Sequence, residues 1–238
     1  MTPRYSFIIP AYNEQSLIAA AIDAIDTSAP AALTGGHETI VVNDASTDRT
    51  AEIARAKGAR VIDVHKRQIA AVRNAGAQIA TGQIFIFVDA DTLVTIPTLR
   101  ELDRLMQNPR ILAGGARLDF DRPPPFWAHV AARIFLFFFF AANLAAGGFI
   151  FARRETFLQA GRFDERFFCG EEVHLSKALK RLGKFRIIKQ PVITSARKFR
   201  MKTARDHLNL LKHMVRRGKK GWESREGLDI WYDGSREN

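Results

Sequence analysis

Cysteine is nearly missing from this chain: Cys169 is the only one. An internal disulfide framework and any all-cysteine metal site are excluded, and a reducing compartment is the expectation. The opening residues, Met1 to Pro10, carry an apolar run too short for a signal peptide, which reads as a strand. No G-x-G-x-x-G follows that strand and no G-x-x-x-x-G-K-[ST] occurs, so neither dinucleotide fingerprint nor P-loop is present. Internal repeats are absent too. Acid is in short supply, 25 aspartates and glutamates against 36 lysines and arginines, for a formal charge of +11. Such a balance attracts nucleic acid, anionic lipid headgroups or phosphorylated substrates; a solvated basic face is the plainer alternative. What remains is ordinary. A hydrophobic share of 47% in 238 residues supports one large domain, or a domain with an appendage.

Strands and helices alternate through the first half. Strands are expected over 5–9, 38–43, 60–64 and 84–88, with Pro10 ending the first; helices are expected over 16–26, 49–57 and 68–80. Short loops between them mean a doubly wound, mostly parallel sheet. Beyond Asp91 the pattern loosens: a helix over 97–107, a strand over 111–118 with Gly114-Gly115 marking a bulge or close approach, then Pro123 to Pro125 as a break. Later come strands over 148–152, 185–188 and 192–194, helices over 154–160 and 171–182, and an amphipathic basic helix over 202–217. Residues 126–146 form a helix rich in phenylalanine, with no charge between Arg133 and Arg153. A single membrane pass there would split one domain across the bilayer, so the segment is expected inside the fold, at a dimer interface or on a membrane surface.

The strand Ile84 to Val88 stops on Asp89-Ala90-Asp91. Parallel strands deliver such residues to the carboxyl edge of the sheet, where α/β proteins bind ligands. Alternation puts both carboxylates on one side, roughly 6–7 Å apart at the Cα atoms. Like charges that close call for a cation or donors between them, so Mg²⁺ or Mn²⁺ with a phosphate-bearing substrate is the first hypothesis; a strand-ending turn is the alternative. Two more loops leave the same edge, Pro10-Ala-Tyr-Asn-Glu14 and Asn43-Asp-Ala-Ser-Thr-Asp48. With Arg73 and Asn74 from the third helix they make a crevice of carboxylates, amides and hydroxyls. A nucleotide fits such a lining.

Several stretches, in this order, resemble the family 2 glycosyltransferases of the GT-A fold. They are Ile8-Ile-Pro-Ala-Tyr-Asn-Glu14, Val41-Val-Asn-Asp-Ala-Ser-Thr-Asp48, Ala71-Val-Arg-Asn-Ala-Gly76 and Val88-Asp-Ala-Asp-Thr92, then Gly147-Gly148, Gly161-Arg-Phe-Asp-Glu165 and Gly170-Glu-Glu-Val-His-Leu175. The resemblance covers about residues 4–200. It implies a GT-A-type catalytic domain over 1–200, with a nucleotide-sugar half over 1–95, an acceptor half over 96–200 and a basic helix and tail over 201–238. It also implies a nucleotide-sugar donor, UDP-linked by family habit, and inversion at the anomeric carbon. Pro10, Tyr12, Glu14, Asp44 and Arg73 would shape the nucleoside pocket, Asp89 would contact ribose or metal, and Asp91 would be the ligand of Mg²⁺ or Mn²⁺. Inversion needs a general base for the acceptor hydroxyl. The family's E-D pair is matched here by Glu171-Glu172, which makes Glu172 the base and Glu171 the second candidate; two glutamates at a helix start that merely favour the dipole are the structural alternative.

Two departures stand out. Relatives carry a late histidine near the metal where this chain has Thr194-Ser-Ala-Arg-Lys198, so Ser195 or Arg197 is expected at the diphosphate. The Q-x-x-R-W motif of processive synthases is absent, which implies single additions. The resulting expectation is a cytoplasmic transferase acting on a hydroxyl acceptor, with a lipid-linked acceptor and peripheral contact with an anionic membrane as options. Homo-oligomerisation through the phenylalanine-rich segment is a further option, and nucleic acid is not expected as a partner. A sugar-phosphate nucleotidyltransferase and a basic binding module without catalysis are the competing classes.

Overall fold

The computed structural model describes residues 2–201, 203, 205, 206, 209, 212 and 219–228. Among these residues eight strands form one mixed sheet. They are β1 (Tyr5–Ala11), β2 (His37–Asp44), β3 (Arg60–Val64), β4 (Ile84–Val88), β5 (Thr92–Leu93), β6 (Ile111–Phe120), β7 (Phe149–Arg153) and β8 (Lys184–Thr194), ordered β3-β2-β1-β4-β7-β6-β8-β5. Strands β3, β2, β1 and β4 are parallel neighbours. Antiparallel β7 joins β4 to β6, β8 returns parallel to β6, and β5 closes the far edge antiparallel to β8. The sheet is thus mostly parallel, as expected.

Among the described residues the sheet is accompanied by helices α1 (Ile18–Ala32), α2 (Thr50–Ala56), α3 (Ile69–Ile79), α4 (Ile96–Met106), α5 (Phe126–Ala141), α6 (Arg154–Gln159), α7 (Glu171–Leu182), α8 (Arg197–Met201) and α9 (Lys219–Trp222). Alternation along the buried strands divides the core into two layers. Phe7, Ile9, Val41, Ile86 and Val88 face Ile18, Ile22 and Ile25 of α1 and Leu99 and Leu102 of α4. Ile8, Ile40, Val42, Phe85 and Phe87 face Val72 and Ala77 of α3, Phe157 of α6 and Leu175 and Leu179 of α7. Burial on both faces is why these strands read as continuous apolar runs. Helix α3 lies so close that a Cβ on Gly76 would stand 2.5 Å from Ile8 Cγ2.

Several boundaries differ from expectation. Pro10 does not end β1; the strand runs to Ala11, because β4 pairs only as far as Ile8 and Pro10 has β2 alone beside it. Helix α1 continues past Asp26 through Pro30, burying Ser28 and Ala29. The two late strands are one strand, β8, which accommodates Gln190-Pro191 by a register shift against β6. Gly114-Gly115 is a close approach: a Cβ on Gly114 would collide with the Arg186 carbonyl. Helix α5 stops at Ala141, and among the described residues no helix is long and apolar enough to cross a membrane. Most of the helix expected over 202–217 lies outside the described residues.

Candidate active site

The loops after β1 and β2 are laced together at the carboxyl edge of the sheet. Asn13 accepts from the Thr47 amide at 2.8 Å, the Asn13 amide donates to Ser46 at 3.0 Å and the Glu14 amide to Thr50 at 2.7 Å. Asn13, Ala45 and Arg67 each hold a positive φ of 51–54°, one in the loop after each of β1, β2 and β3. Non-glycine residues there cost about 1–3 kcal/mol apiece and persist where the surroundings fix them, commonly at functional sites. Asp44 is buried and its carboxylate accepts from the Lys66 and Arg67 amides at 2.7–3.1 Å, which fixes the loop after β3. The Arg67 guanidinium lies 3.7 Å from the centroid of the Tyr12 ring, a flat cationic platform at the crevice rim. Nothing in the spacing of Arg67 singled it out.

Arg73 joins the two sides of the crevice. It projects from α3, only 2% exposed, donates through Nη2 to Asp89 Oδ1 at 2.8 Å and through Nη1 to Glu171 Oε1 at 2.5 Å. Nη2 also donates to the Gly147 carbonyl at 3.2 Å. Burial opposes its charge, but Asp89, Glu171 and Glu172 together outweigh burial and hold the guanidinium protonated above its ordinary range. Glu171 is therefore committed. Glu172, next along α7, is half-buried and has no ion-pair partner among the described residues. Burial first, then the neighbouring Glu171 charge, pushes its carboxyl up to about 8.

A second buried arginine holds the other acid pair. Arg197, at the start of α8, grips Glu14 with both ends of its fork at 2.6 and 2.7 Å and reaches Asp91 Oδ2 at 3.1 Å. Its own charge is opposed by burial and restored by Glu14 and Asp91, so its pKa is raised. Placement follows from β5: Thr92–Leu93 pairs with the end of β8, and the Ser195 amide donates to the Asp91 carbonyl at 3.0 Å. That two-residue strand carries Arg197 to the acids across a gap of 183 residues from Glu14. Pro10 is buried, one residue before the end of β1.

The carboxylates suit a hard divalent cation only in company. One oxygen of each takes an arginine, while Asp89 Oδ2 and Asp91 Oδ1 accept no hydrogen bond from the described residues. No group of three potential His, Cys, Asp or Glu ligands exists among the described residues. One or two carboxylates plus phosphate oxygens and water is the usual shell of Mg²⁺, so the donor set fits a cation that arrives with a diphosphate.

Asn74 corrects an expectation. Its amide does not line the crevice; it donates to the Phe163 carbonyl and Glu165 side chain at 2.9 Å and accepts from the Phe163 amide. Gln68 likewise donates to the Glu165 and Phe167 carbonyls. Together they pin the segment that leads into α7, which sets where Glu171 and Glu172 stand. On the far side Phe167 stacks on His174 at 3.8 Å, and the Trp222 ring covers Gly170, the left-handed residue that starts α7.

Comparison with known proteins points one way. The model of the family described as Glycosyl transferase family 2 matches residues 6–164. The uncharacterized glycosyltransferase YibD of Escherichia coli is 34% identical over 105 residues, covering 42% of this chain and 29% of that protein. The undecaprenyl-phosphate 4-deoxy-4-formamido-L-arabinose transferase of Yersinia pestis is 37% identical over 106 residues, 44% of this chain and 30% of that protein. The matched region thus spans under a third of these relatives. Among solved structures, the mannosyltransferase PcManGT from Pyrobaculum calidifontis, in complex with GDP-Man and Mn²⁺, superimposes with TM-score 0.64 at 22% identity over 92% of this chain and 66% of that one. TarS 1-349 of S. aureus in complex with UDP-GlcNAc gives TM-score 0.63 at 16% identity over 97% and 71%. These likenesses establish the GT-A type of α/β fold.

Proposed function

Because this chain belongs to glycosyl transferase family 2, we propose that it transfers a sugar from a nucleotide-sugar donor to a hydroxyl acceptor with inversion, aided by Mg²⁺ or Mn²⁺. The observation that carries the reading is Arg73. By binding both Asp89 at the end of β4 and Glu171 at the start of α7, it fixes the donor-side acids against the acceptor-side helix and leaves Glu172 unpaired. Inverting transfer needs this separation: charge builds on a leaving diphosphate at one side while a proton leaves the nucleophile at the other.

Glu172 serves as the general base. With the carboxyl raised to about 8, its ionised form is a stronger base than an ordinary carboxylate, and the ionised fraction accepts the proton of a sugar hydroxyl. Glu171 takes the supporting role, since its charge is spent on Arg73. Asp91, with Asp89 beside it, holds the cation, whose chemistry there is to neutralise negative charge developing on the diphosphate. Arg197 keeps Asp91 oriented and sets a buried positive charge where relatives place a histidine. Tyr12 stacked with Arg67 offers a surface for the nucleobase, with Pro10 and Glu14 behind it and Asp44 accepting from a base N–H. The family match and the fold speak against a sugar-phosphate nucleotidyltransferase and against a binding module without catalysis.

One observation favours a second reading of the acceptor. The Yersinia relative is named for undecaprenyl phosphate, and a lipid phosphate is an anionic nucleophile that needs no base. Crowding such an anion against Glu171, Glu172 and Asp89 is unfavourable, which is why a hydroxyl, carried by a lipid-linked acceptor on the cytoplasmic face of a membrane, is preferred. Replacing Glu172 by Gln separates the two: a loss of about 10²–10⁴-fold fits a hydroxyl, and near-wild-type transfer fits a phosphate. Donor class is tested by thermal shift with Mn²⁺ against a panel of UDP- and GDP-sugars, because a ligand that binds only the folded chain raises its melting temperature. UDP-sugars are expected to give the larger shift; no shift with any nucleotide sugar would refute the assignment.

A further inference from the structure

Helix α5 is inside out. Its small residues Ala128 and Ala132 are buried at 0% and 8%, while Phe126, Val130, Ile134, Phe137 and Phe138 are 41–85% exposed. Spacings of four, four, three and one place these large side chains on a single stripe, and Trp127 flanks it. An open apolar groove of about 600 Å³, lined by Ala131, Ile134, Phe138, Phe139, Ala142 and Leu144, continues the stripe toward the end of the helix. Contiguous exposed apolar surface on this scale marks an interaction site.

Charge identifies the occupant. No acidic residue lies between Asp121 and Glu155, whereas Arg122 and Arg133 are exposed beside the stripe. Lys180 donates to the Ala142 carbonyl at 3.0 Å, adding a cation at the C-terminal end of α5. A second copy docked on this face would bring the same cations together with no acid in the segment to pair with them, since a twofold interface repeats one surface on both sides. An anionic bilayer offers both halves of the complement, acyl chains for the stripe and headgroup charge for the rim. At 16 residues α5 is about 24 Å long, short of the ~30 Å hydrocarbon layer, so it fits lying in the interface rather than spanning.

We propose that the outward face of α5 inserts into the surface of an anionic membrane and seats the crevice beside it. The loop that follows the helix runs to Gly147, whose carbonyl accepts from Arg73. A chain held by this helix therefore presents its acid pair close to the lipid surface, where a lipid-linked acceptor is presented. The inference rests on the transferase reading for its purpose, not for its geometry.

Vesicle co-sedimentation of the full chain tests it, using phosphatidylcholine vesicles with and without phosphatidylglycerol. Binding to the anionic vesicles is expected, weakened by salt and by Arg133→Glu, and reduced at least about tenfold in Phe137→Glu/Phe138→Glu. Nucleotide-sugar turnover in solution should be unchanged in that double variant, because both side chains are exposed and neither belongs to the crevice. Equal vesicle binding by wild type and double variant would overturn the proposal, as would no binding by wild type together with a dimer that the double variant dissociates. Vesicle binding by a chain that gives no thermal shift with any nucleotide sugar would refute the transferase reading and leave the docking surface standing.

Discussion

At the crevice Arg73, Glu171, Arg197 and Glu14 are only 2–6% exposed, while along α5 Phe126, Phe137 and Phe138 are 66–85% exposed. One region buries charge and the other exposes apolar surface, each against the ordinary partition of residues. Buried charges are tolerable at the crevice because each of these four has an opposite partner within 3.1 Å. Among the described residues of α5 no comparable compensation is present: Ala128 and Ala132 are buried while Phe126, Phe137 and Phe138 are exposed. Paired buried charge is a device for holding geometry, whereas unpaired exposed hydrophobicity is a surface waiting for a partner. Departures from local consistency concentrate where a protein works.

The largest effect should come from breaking the crevice. Asp91→Asn is expected to lower transfer by about 10³-fold, and the fold should survive because Arg197 keeps its fork on Glu14. A steady-state assay with Mn²⁺ and a circular dichroism melt would show both halves of that outcome, and full activity would remove Asp91 from the mechanism. Next in size is Arg73→Met, which strands Glu171 and Asp89 without their partner. Chemical denaturation should register a loss of about 3–5 kcal/mol, partly restored when Glu171→Gln is added. The smallest effect is on α5: Phe137→Ser should change folding stability by no more than about 0.5 kcal/mol, because the side chain packs on little. A loss of several kcal/mol would mean that the phenylalanine stripe belongs to the core.

The parallel half of the sheet was legible because burial on both faces writes continuous apolar runs, and turn residues punctuate them. Asp89, Asp91 and Glu172 were legible as acids at the ends of elements. What could not be read was pairing across distance. Nothing near Glu14 reveals that Arg197 holds it, since the link depends on β5, two residues long, adding to the edge of β8. Asn74 was misplaced for a related reason: neighbouring positions on a helix point in different directions, so Arg73 turns to the crevice while Asn74 turns to Phe163. Helix α5 was read as core, interface or membrane contact, and composition could not choose because all three are apolar. The exposure of its large residues sets the core reading aside.

The division of labour between the two glutamates is the centre of the account, and the pH dependence of kcat/KM addresses it directly. Glu172, raised to about 8 by burial and by Glu171, must be ionised to accept a proton, so kcat/KM should rise with pH and level off above about 8. The sign for stability is opposite: the folded chain keeps a proton that the unfolded chain releases from its ordinary 4.5, so stability should fall between about 4.5 and 8. In Glu172→Gln the rising limb should vanish along with about 10²–10⁴-fold of the rate, whereas Glu171→Gln should keep the limb, displaced to lower pH by the loss of a neighbouring charge. A rising limb that survives unchanged in Glu172→Gln would contradict the assignment of the base.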